Sequence, residues 1–317
     1  PNPQSCNNMT MALGALVTMT LSSSCAALLR SGATKMSLTR RGLVAGSTII
    51  AASLNQPASS APNPEVDDEI VVGGRPISVR RYVEADVGMK FPKTSLTEKI
   101  FAQPWPEEYP FPPRAFQRQD ESDDGDFYSM PRFVYHIDEG AVRALTNYYK
   151  ENIPAGSSVL DICSSWVSHY PEDFPKTMSR ISGTGMNALE LEANRQLSDF
   201  KPRNLNIDPK LPYEDASFDV VTCVVSVDYL VKPLEVFREV NRVLKPGGKF
   251  ILSQSNRCFP TKAIAMWLGM DDIQHCLVIG AYFHYAGGFE PAEAFDVSPQ
   301  GPRTNDPLFI VQATRQS

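Results

Sequence analysis

Polar residues that stand directly after short apolar runs are where this chain could do chemistry. Asp228 and Tyr229 follow the run Phe218–Ser226, and Asn256 and Arg257 follow Lys249–Ser253. Asp161 lies within a third run, Ser158–Ile162, and His169 stands a few residues beyond it. In open α/β sheets ligands bind beyond the carboxyl ends of the strands, beside the point where strand order switches. A carboxylate, a phenol and an imidazole placed there can orient or deprotonate a nucleophile. His169 is the candidate base, because an ordinary imidazole titrates near pH 6.5. His284, with Tyr282 and Tyr285, is positioned to cover such a site from the segment after Lys249–Ser253, and His136 with Asp138 reads as an anchor. The four histidines at 136, 169, 275 and 284 are dispersed without metal-ligand spacing, so no metal is assigned.

The elements that must position these groups alternate between strand and helix patterns. Glu139–Asn152 carries apolar residues at Val142, Leu145, Tyr148 and Tyr149, close to helical spacing, and Pro154-Ala-Gly156 stops it. Ser158–Ile162 is a short strand. A second, Arg180–Thr184, runs towards Asn187, a good N-cap for a helix over 188–197. A third strand is expected over Asn204–Ile207. Phe218–Ser226 is rich in β-branched residues and reads as a strand buried on both faces. Leu234–Leu244 is an amphipathic helix ended by Lys245-Pro-Gly-Gly248, and Lys249–Ser253 is the next strand. This alternation predicts an α/β fold, a doubly wound, mostly parallel sheet with helices on both faces. In such a sheet Cys163 can approach Cys223 or Cys258. Buried free thiols are the expected state of Cys163, Cys223, Cys258 and Cys276.

Composition divides the chain into three parts. Residues 1–64 contain no Asp or Glu but hold Arg30, Lys35, Arg40 and Arg41. Removing those four from the 30 Lys and Arg leaves 26 basic against 36 acidic residues in the remainder. Such a body repels phosphate backbones, which argues against a nucleic-acid substrate. Residues 1–64 read as a presequence, with Met9 as a start and twin arginines ahead of the apolar run Gly42–Leu54. That run resembles a twin-arginine signal behind a plastid transit peptide, and so implies the thylakoid lumen. The alternatives are a stromal transit peptide, or a secretory signal over Met11–Leu29. No stretch is long and apolar enough for a transmembrane span. Residues 65–126 are rich in Pro and acid and are expected to be an extended arm. The arm's aromatics Phe101, Trp105, Tyr109, Phe111 and Phe116 suggest that it lies across the domain or against a partner. Residues 127–317 form the α/β domain.

Two segments carry a specific resemblance. Leu211-Pro-Tyr-Glu-Asp-Ala-Ser-Phe-Asp-Val-Val221 and Pro233-Leu-Glu-Val-Phe-Arg-Glu-Val-Asn-Arg-Val-Leu-Lys-Pro-Gly-Gly248 resemble the type 11, class I S-adenosylmethionine-dependent methyltransferases. Asp161-Ile-Cys-Ser-Ser-Trp-Val-Ser-His-Tyr-Pro171 and Tyr282-Phe-His-Tyr-Ala-Gly-Gly-Phe-Glu-Pro291 are similar to a plant and algal plastid branch of that family. The resemblance implies S-adenosylmethionine as cofactor. It implies a cofactor site at Asp161, Cys163, Ser164, Ser165, Gly185, Asn187, Asn204 or Asp208, and Val225, with Asp228, Tyr229 and His169 as catalytic candidates.

The chain departs from the family pattern at two places. Strand one ordinarily ends Asp-x-Gly-x-Gly-x-Gly, and here Cys163, Ser165 and Val167 replace the glycines while Trp166 and Val167 narrow the mouth. Strand two ordinarily ends in an acid that binds both ribose hydroxyls, and Gly185 stands in its place. Losing that charge-assisted contact removes about 1.5–3 kcal/mol. Asn187 is the nearest substitute. Three functions follow from the resemblance: a methyltransferase with a rebuilt site acting on a small-molecule acceptor, a protein on the same scaffold that binds a different small molecule, or a non-catalytic subunit or assembly factor of a thylakoid protein complex docked through residues 65–126.

Overall fold

The computed structural model describes residues 65–82, 88–301 and 306–317. The expected presequence, with its Arg40-Arg41 pair, lies outside the described residues. In chain order the strands are β1 (Glu65–Val72), β2 (Arg75–Tyr82), β3 (Thr94–Ser95), β4 (Ser158–Ile162), β5 (Arg180–Thr184), β6 (Asp199–Phe200), β7 (Phe218–Val224), β8 (Leu244–Gln254), β9 (Glu293–Asp296) and β10 (Phe309–Thr314). The helices are α1 (Thr97–Phe101), α2 (Asp124–Phe127), α3 (Glu139–Asn152), α4 (Phe174–Thr177), α5 (Ala188–Ala193), α6 (Pro233–Val243) and α7 (Asp272–Ala286).

Eight strands form one sheet in the order β3-β9-β10-β8-β7-β4-β5-β6. β8, β7, β4, β5 and β6 run parallel, and β10 is antiparallel to both β8 and β9. The sheet is therefore mostly parallel and doubly wound, as expected, and strand order reverses between β4 and β7. Successive residues of the central strands point to opposite buried faces. Leu160, Ile162, Val221 and Leu252 join a core with α6 and α7, whereas Val159, Val220 and Ile251 join one with α3. Asp138 caps α3 by accepting from the Ala141 N–H at 2.9 Å and exchanges hydrogen bonds with Asp306, so it fixes the helix rather than the arm.

Four local expectations need correction. The third strand is β6 at Asp199–Phe200, and residues 205–207 form a turn. Asn204 diverts the chain there, because its side chain accepts from the Asn206 N–H at 3.0 Å and so favours a turn over a ladder. The helix after Asn187 ends at Ala193, and Lys245–Gly248 lies within β8 beside a register shift in its pairing with β7. Finally, residues 65–82 are a hairpin, not a plain extended segment. Gly73 and Gly74 take φ of 56° and 75°, the left-handed pair that a two-residue hairpin turn demands. Ile70, Val72 and Val79 bury against Trp166 and Ala193, so the hairpin borrows its core from the domain.

The rest of the arm lies across the domain. β3 adds to the sheet edge beside β9. Trp105 stacks on His284 with ring centres 5.5 Å apart, and the Tyr285 hydroxyl donates to the Pro106 carbonyl at 2.6 Å. Phe111 and Phe116 pack edge-on and tilted against Tyr282. The expectation that Tyr282, His284 and Tyr285 cover the ligand site is thus overturned: on α7 they hold the arm. From Phe116 the chain passes to the carboxyl ends of the strands. There Lys262, fully buried, pairs with Asp120 at 3.2 Å and Asp124 at 3.3 Å, and Arg118 pairs with Asp124 at 2.6 Å. A buried ammonium needs such partners, because without them its desolvation would not be offset.

Candidate functional site

A cavity of about 330 Å³ opens over the carboxyl ends of β4, β5, β6, β7 and β8. Its floor is the segment after β4, with Cys163, Ser164, Ser165, Val167 and His169, together with Asp161 at the strand end. One wall is Gly185, Met186, Asn187 and Glu190 after β5; another is Arg203–Asn206 after β6; a third is Val224–Ser226 with Tyr229 and Leu230 after β7. Arg118, Asp124, Tyr128 and Arg132 cover it from the arm and the start of the domain. Its position at the strand-order switch and its volume are those of a small-molecule site.

The floor is held by backbone as much as by side chains. The Ser164 N–H donates to the Thr184 carbonyl at 2.9 Å, which draws the loop after β4 across the end of β5. A Cβ at Gly185 would stand 2.0 Å from the Ser164 carbonyl oxygen, so no side chain fits at that position. The missing acid is therefore excluded by geometry, not merely replaced. Cys163, which stands where the first glycine of the family pattern would fall, takes a left-handed backbone with φ 54°. His136, His169 and Val225 also have positive φ and also line the cavity. For a β-branched residue such as Val225 this conformation is strained, and such strain is concentrated at ligand sites.

Asp161 is buried, accepts from the Thr222 hydroxyl at 3.1 Å, and is pushed up to about 6 by burial, against the hydrogen bonds it receives. Asn204 lines the cavity, and Asn206 ties its turn to the cover by donating to Asp124 at 3.0 Å and to the Tyr229 carbonyl at 2.9 Å. Glu190 is buried, and burial raises its pKa; one of its oxygens accepts from the Arg132 N–H at 2.7 Å. Arg132 lies over the Phe127 ring at 4.6 Å, and one of its terminal nitrogens is buried without a hydrogen-bond partner among the described residues. The same holds for Arg203 Nε and His169 Nδ1.

The structure brings together Asp161, Cys163, Ser164, Ser165, Gly185, Asn187, Asn204, Val225, His169 and Tyr229 around this cavity, with Arg257 at its rim. Asp208 is not there: it pairs with Arg203 and faces solvent. Asp228 is buried behind the wall, with one carboxylate oxygen unpartnered. Asn187 lines the cavity but is committed to structure. Its oxygen accepts from the Leu189 and Glu190 N–H groups and its amide donates to the Tyr128 and Ser129 carbonyls. It has no capacity left to replace the missing acid. Burial drives the His169 imidazole down to about 3, so it does not titrate near neutrality as a catalytic base would. The Tyr229 hydroxyl accepts from the Phe259 N–H at 2.8 Å, and burial holds its proton on. Trp166 does not narrow the mouth; it is buried under the hairpin, its indole N–H donating to the Val134 carbonyl. Cys163 lies against Cys223, and both are free thiols. Sequence spacing gave no signal for Arg118, Asp124, Glu190 or Arg203, because the cover and the helix after β5 meet the floor only in three dimensions.

Residues 160–252 match the family model described as a methyltransferase domain. The chain is 38% identical over 80 residues to a ubiquinone biosynthesis O-methyltransferase of Xanthomonas oryzae pv. oryzae, covering 25% of this chain and 33% of that protein. It is 31% identical over 143 residues to a sterol 4-C-methyltransferase of Caenorhabditis elegans, covering 42% of each. It thus spans about a third of the length of the first of these relatives. Among solved structures, a Haemonchus contortus phosphoethanolamine N-methyltransferase 2 in complex with S-adenosyl-L-methionine superposes with a TM-score of 0.42 at 12% identity, covering 57% of this chain and 54% of that one.

Two measurements test the geometry. Gly185→Asp, which places an acid at this strand end, is expected to lower stability by about 1–3 kcal/mol through collision with Ser164; unchanged urea unfolding would contradict it. Burial pushes the Asp228 carboxyl up to about 8, far above an unfolded aspartate. Between pH 4 and 8 the folded state therefore holds more protons and loses stability as pH rises. Asp228→Asn removes this loss, so its stability relative to the parent should improve by up to about 1.4 kcal/mol per pH unit across that window. A gap that does not change with pH would refute the assignment.

Proposed function

We propose that this chain, whose residues 160–252 match a methyltransferase domain on a doubly wound α/β fold, is an S-adenosylmethionine-dependent methyltransferase acting on a small-molecule acceptor. One observation carries the reading: the strand-end cavity is built largely from the matched segment and covered in part by Arg118 and Asp124 of the chain's own arm. A docking arm would leave its aromatics available to a partner, whereas here Trp105, Tyr109, Phe111 and Phe116 are packed on α7 and on one another.

The donor set fits the cofactor. A ligand with a carboxylate, ribose hydroxyls and a flat heterocycle offers acceptors to Arg132 and Arg203, whose unpartnered nitrogens otherwise remain unsatisfied in the cavity wall. Asp161 with Ser164 and Ser165 would hold its amino-acid end, and the turn at Asn204 its base. When bound, the cofactor supplies an electrophilic methyl group. The chain contributes alignment and exclusion of water. Arg118, Asp124 and Tyr128 close the cavity from one side, while Tyr229 and Phe259 form an apolar wall towards Arg257. Burial leaves His169 with little affinity for a proton and favours the protonated forms of Asp228 and Tyr229, so the site has no ready base among the three catalytic candidates. This favours an acceptor that reaches the site already nucleophilic. A plastid setting, with the lumen or the stroma as compartment, remains the reading of residues 1–64 and belongs to this proposal.

Calorimetric titration of the full chain with S-adenosylhomocysteine and S-adenosylmethionine tests it. Saturable binding tighter than about 100 μM, roughly −5.5 kcal/mol, is expected. No heat and no thermal shift at millimolar ligand would overturn the proposal.

A further inference from the structure

We infer that Glu190 is the carboxylate that receives the ribose hydroxyls, in place of the acid that Gly185 excludes. This rests on the S-adenosylmethionine reading above. A vicinal diol presents two donors side by side, and a carboxylate oxygen pair is the group that accepts both. Three acidic side chains line the cavity: Asp124, Asp161 and Glu190. Asp124 is spent, since one oxygen takes Arg118 and Lys262 and the other takes Asn206. Asp161 lies within β4, bonded to Thr222, and supports the floor.

Glu190 differs from both. It stands in the first turn of α5, the helix that follows β5, on the same wall as Gly185. One oxygen accepts from the Arg132 N–H, and the second accepts no hydrogen bond among the described residues. The side chain is buried, at 8% exposure, so it is held in place on the cavity wall. The second oxygen is not among the buried unpartnered atoms of the described residues, so it is open to the cavity and free to accept from a ligand. The acid function has therefore moved five residues along the chain, from the strand end to the helix, because the Ser164 carbonyl occupies the original place.

The test is titration of the full-length parent and Glu190→Gln with S-adenosylhomocysteine, and competition against it by adenosine and 2′,3′-dideoxyadenosine. Urea midpoints of both proteins, and of Glu190→Asp, check folding. Glu190→Gln is expected to weaken S-adenosylhomocysteine about 10- to 100-fold. It should also abolish the parent's preference for adenosine over the dideoxy analogue, which a merely structural role would leave in place. Equal binding by parent and variant, or a variant that weakens yet keeps the preference, would overturn the inference while leaving the cofactor reading intact. A parent that binds no S-adenosylhomocysteine would overturn both.

Discussion

The site depends on one close approach, the Ser164 carbonyl lying against the α-carbon of Gly185. The hydrogen bond from Ser164 N–H to Thr184 pulls the two strand-end segments together, and only a residue without a side chain permits it. The approach fixes the floor of the cavity and removes the position from which an acid could reach a ribose. It also explains how the loop keeps its path without glycines. Cys163 and Val225 hold left-handed backbone on either side of the strand-order switch, and the packing around them bears the strain.

The second constraint is the cover. An arm poor in apolar residues cannot build a core, so it takes surfaces from the domain: the hairpin uses Trp166, and the aromatic segment uses α7. Its far end is held by charge. Lys262, with no exposed side-chain surface, donates to the Ser122 carbonyl at 2.8 Å and pairs with Asp120 and Asp124, all three supplied by the arm. Asp124 also reaches Asn206 in the turn after β6. Cover and wall are thus joined through one carboxylate, and displacing the arm would strand a buried ammonium. This links the order of the arm to the closure of the cavity.

Much of this was legible in the residues. Alternating apolar runs located β4, β5, β7 and β8, and Asn187 marked the start of α5, because patterns of burial and capping are local. Most of the candidate site residues also gather at the cavity, since strand ends are where such folds bind. The errors arose where local pattern competes with tertiary contact. Asn204 made a turn where a strand was expected, and Gly73-Gly74 made a hairpin in a segment read as extended. His169 looked like a base because a sequence shows the residue type and not its desolvation. Glu190 could not be singled out, because nothing in Ala-Leu-Glu-Leu-Glu-Ala distinguishes a cavity-facing acid from a solvated one. Only the placement of α5 does so.

The central claim is that this rebuilt strand-end cavity holds the cofactor. The most direct measurement is a crystal structure of the full chain with S-adenosylhomocysteine. The ligand is expected between the Cys163–His169 floor and the Arg203–Asn206 turn, its ribose against Glu190, under an arm in the position described. Ligand bound elsewhere, or a cavity filled by protein side chains in crystals soaked at saturating concentration, would contradict it.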